Sequence, residues 1–184
     1  LQLVGGKGAN LSILTRAGYA VPSGFHITTT GYKTFIEEHH LDSLIDAALE
    51  KLTEDPSAVE LASQVIRSGF RSCPIPTALA QEILQAYQSL GRPYVAVRSS
   101  ATAEDLPELS FAGQQDTFLN VLNESSLLKA VIDCWSSLWT ARAISYRNRN
   151  NISHKNISLA VIVQKMVDSE TSGVLFTANP LTGA

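Results

Sequence analysis

A glycine-rich segment near the N-terminus has the composition of a phosphate-binding turn. It runs Val4-Gly5-Gly6-Lys7-Gly8-Ala9-Asn10-Leu11, with a helix predicted from Asn10. Glycines let backbone N–H groups approach a phosphate, and a helix N-terminus adds partial positive charge. Lys7 offers a point charge for phosphate oxygens. The spacing matches neither the P-loop nor the dinucleotide-binding fingerprint, so the alternative is a plain glycine turn with a solvated lysine.

A second candidate is the arginine within Val97-Arg98-Ser99-Ser100-Ala101-Thr102, at the end of a short β-rich run. The planar guanidinium of Arg98 can bind a phosphate through two parallel hydrogen bonds. The three hydroxyl side chains that follow could donate to the same anion. The alternative is an ordinary ion pair between Arg98 and Glu104 or Asp105. This segment therefore predicts either an anion site or a local salt bridge.

A third candidate is the glycine loop that leads into the next β-rich run, Thr117–Val121. Gly113 permits close approach of its backbone to a ligand. Thr117 offers a hydroxyl, and Phe118 follows it. The loop could lie over a nucleotide like a flap, or it could be a plain turn into a strand.

The fourth candidate is Gln164, near the end of a strongly apolar run over 157–166. An amide at a strand end between two lobes could meet the edge of an adenine. The alternative places Gln164 in solvent, with Met166 filling a gap in the core.

The elements that must position these residues divide near Gly91–Pro93. Residues 1–92 are helix-rich and contain the glycine–lysine segment, whereas residues 93–184 alternate strands and helices, so the fold class is α+β. One long helix is predicted from Asn123 or Ser125 through Arg142, with its tryptophans in the core. A strand over 173–177 is predicted to pair back on the 157–166 strand as a hairpin.

Composition excludes several classes of protein. The chain has 184 residues, a net charge of −3, 45% hydrophobic residues and two cysteines. The charge argues against a basic nucleic-acid-binding surface, and no apolar run reaches the roughly 18 residues of a membrane span. Two cysteines are too few for a disulfide framework. We expect a cytoplasmic protein, and the first residue, Leu1, together with the abrupt C-terminal end suggests a piece of a longer chain.

Taken together, the motifs resemble the N-terminal ATP-binding domain of the phosphoenolpyruvate synthase and pyruvate phosphate dikinase family, which includes rifampin phosphotransferase-like members. They occur in that family's order and cover essentially the whole chain. The stretch from Val95 to Val121 is the most specific part. The segments that carry the resemblance are Gly5–Leu11, Val97–Asp105, Phe111–Gln114 and Ser172–Phe176.

The resemblance implies an ATP-grasp-type nucleotide-binding domain, incomplete at both ends, with ATP between two lobes. In that arrangement Lys7 and Arg98 would hold the phosphates, and Gly113 would approach them through its backbone. Thr117 and Phe118 would line the same pocket. Gln164 would contact adenine where the lobes meet.

The resemblance also implies a reaction, although no residue of this chain is assigned as catalytic. In the family, a histidine on a mobile domain takes a phosphoryl group from ATP and delivers it to pyruvate or to rifampin. The Mg²⁺ ligands are expected beyond Ala184, and the histidine and the acceptor site on domains outside this chain. The fragment is expected to be inactive by itself. The alternative functions are a non-catalytic nucleotide-binding module and a glucan-directed dikinase. The sequence predicts no oligomeric state.

Overall fold

The computed structural model describes residues 1–53, 55–102, 116–155, 157–176 and 178–179. Within these residues the chain forms helices and a single sheet, which confirms the α+β class. None of the described helices combines the length and apolar composition needed to cross a membrane. In chain order the elements are α1 (Gly5–Arg16), β1 (Gly24–Ile27), α2 (Thr29–Glu38), α3 (Leu41–Leu49), α4 (Pro56–Ser72), α5 (Thr77–Ser89), β2 (Val95–Ala101), β3 (Thr117–Val121), α6 (Glu124–Ser137), α7 (Ala141–Arg149) and β4 (Leu159–Lys165).

The sheet is antiparallel throughout, in the order β1-β4-β2-β3. β2 and β4 form its centre and pair along their whole lengths, from Val95 opposite Lys165 to Ala101 opposite Leu159. β1 comes from the helix-rich half and pairs with β4, so the sheet contains residues from both sides of the predicted boundary at residue 92. The division into lobes 1–92 and 93–184 stays a prediction.

One face of the sheet carries the hydrophobic core. Side chains alternate along a strand, so Val95, Val97 and Ala101 share the face that packs against the helices. An aromatic cluster lies at its centre, where the Phe35 and Trp135 rings are 5.0 Å apart. Both tryptophans are buried, as the sequence predicts.

The predicted long helix is wrong, because it is two helices. α6 ends at Ser137 and α7 begins at Ala141. Thr140 caps the new helix, its hydroxyl accepting from the backbone N–H of Ala143 at 3.2 Å. The carbonyl of Leu138 accepts from Arg147 Nη1 at 2.8 Å. The break therefore leaves both helix ends with hydrogen-bond partners, which the apolar spacing alone does not reveal.

The predicted hairpin is also wrong over its described residues. Residues 173–176 form no strand, and Val174 and Leu175 are 83% and 90% exposed. The reason lies in the sheet order, because β4 already pairs with β1 on one side and β2 on the other. It has no open edge for a third strand.

α1 begins at Gly5, five residues earlier than predicted, so the glycine–lysine segment is its first turn rather than a loop before it. β2 extends through Ala101, three residues beyond the expected strand. Residues 103–115, which include the glycine loop around Gly113, lie outside the described residues.

Candidate functional site

Three of the predicted binding residues meet on the sheet face opposite the core. Arg98 on β2 lies opposite Thr117 on β3, and Gln164 on β4 lies opposite Ala96. Arg98 is half-buried and Thr117 is exposed. Arg98 Nη1 donates to Gln164 Oε1 at 3.4 Å. The sheet register therefore brings together side chains that lie far apart in the sequence.

The Gln164 amide is held at both ends. It is only 8% exposed, and its Nε2 donates to the carbonyl oxygen of Pro22 at 3.1 Å while its Oε1 accepts from Arg98. Nearby, the backbone N–H of Lys165 donates to the carbonyl of Ser23 at 2.8 Å. Gln164 thus links Arg98 to the segment before β1. The adenine contact predicted for it stays a prediction.

Arg98 has an electrostatic setting suited to an anion. Among the described residues its partner is the neutral amide of Gln164, and no carboxylate of those residues pairs with it. The predicted alternative partners, Glu104 and Asp105, lie outside the described residues. A guanidinium can bind a phosphate through two parallel hydrogen bonds, and the hydrogen bond from Arg98 to Gln164 uses only one of its N–H groups.

α1 lies over this same face and carries Lys7 in its first turn. Ser100, which shares a face with Arg98, donates from Oγ to the carbonyl of Val4 at 2.8 Å and accepts from the backbone N–H of Gly8 at 3.2 Å. Gly8 also lies against the His26 ring, because a Cβ built there would be 3.2 Å from ring atoms. Lys7 is half-buried at this junction.

The three hydroxyls after Arg98 have partners within the chain, and the anion contact predicted for them stays a prediction. Each of the three donates to a backbone carbonyl. Ser99 donates to Asp116 at 3.1 Å, Ser100 to Val4, and Thr102 to Ser158 at 3.3 Å. A hydroxyl has one proton to donate, so these groups hold neighbouring segments in place.

Two backbone N–H groups of the glycine segment are likewise already used. Gly5 N–H donates to the carbonyl of Leu1 at 2.8 Å, and Gly8 N–H donates to Ser100 Oγ. These two groups therefore do not point freely at a ligand.

Phe118 and Gly113 complete the predicted set. Phe118 lies opposite Val97 and packs against the core, so its ring is on the other face of β3 from Thr117. The structure does not bring that ring to Arg98. Gly113 lies outside the described residues.

Burial shifts two titratable groups, His26 on the sheet face of Arg98 and Cys134 in the core. Burial lowers the pKa of His26, which favours its neutral form. Burial raises the pKa of the Cys134 thiol, the charges of Asp116 and Asp133 raise it further, and the Lys7 ammonium opposes them. Cys134 is therefore a protonated core thiol and not a nucleophile.

Sequence reasoning missed the backbone partners of these side chains. The Pro22 carbonyl and the Val4 carbonyl carry no sequence signal, because any residue supplies a carbonyl and only the fold places it. His26 shows no ligand spacing in the sequence, yet the register puts it opposite Ile162, which lies opposite Arg98. In the described part of the chain, no three His, Cys, Asp or Glu residues are grouped to hold a metal ion.

Comparison with known proteins gives relatives along the whole chain. It is 49% identical to phosphoenolpyruvate synthase of Aeropyrum pernix over 191 residues, which covers 100% of this chain and 23% of that protein. It is 41% identical to phosphoenolpyruvate synthase of Pyrococcus furiosus, covering 99% of this chain and 27% of that protein. It is 45% identical to rifampicin phosphotransferase of Streptomyces sviceus, covering 100% of this chain and 21% of that protein.

The chain thus spans about a quarter of the length of these relatives. The model of the pyruvate phosphate dikinase AMP/ATP-binding domain matches residues 1–184. This match confirms the resemblance drawn from segments such as Gly5–Leu11 and Val97–Asp105. With its whole length matched, the chain belongs to the pyruvate phosphate dikinase AMP/ATP-binding domain family.

Proposed function

We propose that this chain is the ATP-binding portion of a phosphotransferase that passes a phosphoryl group from ATP, through a histidine on another domain, to pyruvate. The observation that carries the proposal is the position of Arg98. It lies half-buried on the sheet face opposite the core, hydrogen-bonded to a neutral amide, on the strand that contacts the helix carrying Lys7. The family match and the phosphoenolpyruvate synthase relatives support ATP as the nucleotide.

The proposed roles follow the arrangement of the side chains. Lys7 and Arg98 bind the phosphates, and the Thr117 hydroxyl, opposite Arg98, lies in the same pocket. Gln164 orients Arg98 and contacts adenine. Gly113 approaches the phosphates through its backbone. Because the Phe118 ring packs against the core, its contribution to the pocket comes from its main chain.

The proposal includes an ATP-grasp arrangement with ATP held between the two lobes. Bound ATP supplies the phosphoryl group, and transfer requires cations that neutralise the charge on the phosphate oxygens. Lys7 and Arg98 supply two such cations. Mg²⁺, with ligands elsewhere in the full-length protein, and a cytoplasmic location are further parts of the proposal.

A second acceptor is rifampicin. The relative from Streptomyces sviceus is 45% identical over the whole chain, between the 49% and 41% of the two phosphoenolpyruvate synthases. Identity in the ATP-binding region therefore does not separate the acceptors, which we propose are recognised by another domain.

The test is phosphohistidine formation in the full-length protein with ATP radiolabelled in its β- or γ-phosphate. Lys7→Ala and Arg98→Ala should each reduce labelling at least tenfold, since a charge-assisted contact is worth about 1.5–3 kcal/mol. Lys33→Ala and Arg16→Ala remove exposed cations from α2 and α1 and serve as controls. Near-normal labelling of either site variant would refute its role.

Adding the acceptor separates the remaining alternatives. Pyruvate should discharge the labelled protein if it is phosphoenolpyruvate synthase-like, whereas discharge by rifampicin alone favours the antibiotic-modifying activity. ATP binding without any labelled histidine would indicate a non-catalytic nucleotide-binding module.

A further inference from the structure

We infer that Ser100 is a positioning residue of the phosphate site. Its hydroxyl fixes the first turn of α1, and therefore Lys7, over the strand that carries Arg98. This inference rests on the proposed function. It assigns Ser100 no contact with the nucleotide.

The two hydrogen bonds of Ser100 reach backbone groups on either side of Lys7 in the sequence. The hydroxyl donates to the carbonyl of Val4, three residues before the lysine, and accepts from the N–H of Gly8, the residue after it. Ser100 has no exposed surface, so removing its hydroxyl would take the partner from two backbone groups at a buried position. One side chain on β2 thus holds both sides of the turn that presents Lys7.

The glycines show how closely the turn approaches the strand. A Cβ at Gly5 would lie 2.3 Å from the Ser100 carbonyl oxygen and 2.5 Å from its Oγ, and Gly5 has a φ of +66°. A Cβ at Gly8 would lie 2.9 Å from that of Val4. Only glycine fits at Gly5, so this glycine of the pattern that suggests phosphate approach in the sequence serves the packing of α1 on β2.

The geometry ties both cations to one strand. Arg98 and Ser100 are two residues apart on the same face of β2, which is about 7 Å along an extended chain. Arg98 is part of the strand, and Lys7 is attached to it through the Ser100 hydroxyl. Two cations carried on backbone that is already fixed bind a polyphosphate at a lower cost of ordering.

The test compares affinities of the full-length protein for ATP and adenosine by calorimetry. Ser100→Ala should weaken ATP binding about tenfold and leave adenosine binding within twofold, since adenosine has no phosphates for Lys7 to reach. The matched control is Ser137→Ala, which removes a hydroxyl that is 1% exposed and bonded to the Cys134 carbonyl on α6. It should leave both affinities unchanged.

A double-mutant cycle tests whether the effect passes through Lys7. In a Lys7→Ala background, Ser100→Ala should change ATP affinity by less than twofold. An undiminished tenfold penalty there would overturn the inference, as would equal loss of ATP and adenosine binding. If Ser100→Ala does not fold, Ser100→Cys keeps the size but weakens both hydrogen bonds, and unchanged ATP affinity in that variant overturns the inference.

The two proposals fail in different ways. If the unmodified protein does not bind ATP, the proposed function is wrong. If it binds ATP and Ser100→Ala binds equally well, only the role of Ser100 is wrong.

Discussion

Arg98 and Gln164 meet across the two central strands, with Nη1 of the guanidinium 3.4 Å from Oε1 of the amide. The other end of the same amide donates to the Pro22 carbonyl at 3.1 Å. One buried amide therefore connects the cation of β2 to the segment that precedes β1. Because an amide has a fixed donor end and acceptor end, these two partners determine which way it points.

Gln164→Glu should weaken ATP binding at least tenfold. The substitution places a carboxylate beside Arg98, where it competes with phosphate oxygens, and it removes the donor to Pro22. The measurement is the dissociation constant for ATP in the full-length protein. Gln85→Glu adds the same charge at an exposed position of α5 and is the control. Unchanged affinity in Gln164→Glu would argue against a phosphate contact by Arg98.

Gly5→Ala should lower the free energy of unfolding by more than about 2 kcal/mol. Its φ is +66°, and its new Cβ would lie 2.3 Å from the Ser100 carbonyl oxygen, so α1 must move off the strand. Gly18→Ala isolates the backbone cost, because Gly18 has a φ of +83° with open space around it, and should lose only about 1–2 kcal/mol. Denaturant titration measures both. Equal losses of stability in Gly5→Ala and Gly18→Ala would show that the close approach of Gly5 to β2 adds no penalty beyond that of the backbone conformation.

Asp133→Asn should destabilise the protein by about 1–3 kcal/mol. The carboxylate accepts from Arg71 on α4 at 2.9 Å and from Lys129 at 3.1 Å, and its side chain is 10% exposed. Burial raises the pKa of Asp133, but these two cations outweigh it and hold the pKa below its ordinary value.

The control for Asp133 is the exposed pair of Arg92 and Glu124, whose side chains are 55% and 47% exposed. Glu124→Gln should cost about 0–1 kcal/mol, because water screens that pair. Thermal unfolding compares the two variants. A loss at Glu124 as large as that at Asp133 would contradict the assignment of stability to the α4–α6 contact.

Stability should fall as the pH drops from about 6.5 to about 4, in part because of His154. Burial and the neighbouring Arg147 charge lower the pKa of His154 from 6.5 to about 4, and its Nδ1 accepts from Arg147 Nε at 2.9 Å. Between these values the unfolded chain binds a proton that the folded ring does not. The free energy of unfolding therefore decreases as the pH decreases. The decrease is less than about 1.4 kcal/mol per pH unit because the ring is half-buried.

His154→Asn should flatten that pH profile, since an amide oxygen can accept from Arg147 without titrating. Denaturant titrations at several pH values between 4 and 7 measure the slope. Part of the slope should remain, because burial also lowers the pKa of His26. His40→Asn, at an exposed position, shows whether loss of any histidine has the same effect. An unchanged slope in His154→Asn would contradict its assignment.

Local sequence patterns predict much of the secondary structure. The β-rich run over Thr117–Val121 coincides with β3, and the run over 157–166 contains β4. These patterns succeed because alternation and apolar content depend on neighbouring residues. They fail for the hairpin after β4, where the outcome depends on which strands occupy the two edges of β4.

The sequence by itself determined the family and the α+β class, and it singled out Lys7 and Arg98 as candidate cations, because motifs and composition are local properties. It did not determine how those cations are held. The Arg98–Gln164 contact joins residues 66 positions apart, the Ser100–Val4 bond 96, and the Gln164–Pro22 bond 142. Each depends on sheet register and on the packing of α1, and those arise only when distant segments meet. The tertiary structure alone therefore decided that Ser100, two residues after Arg98 on β2, bonds to the first turn of α1 and that the Gln164 amide bonds to Arg98.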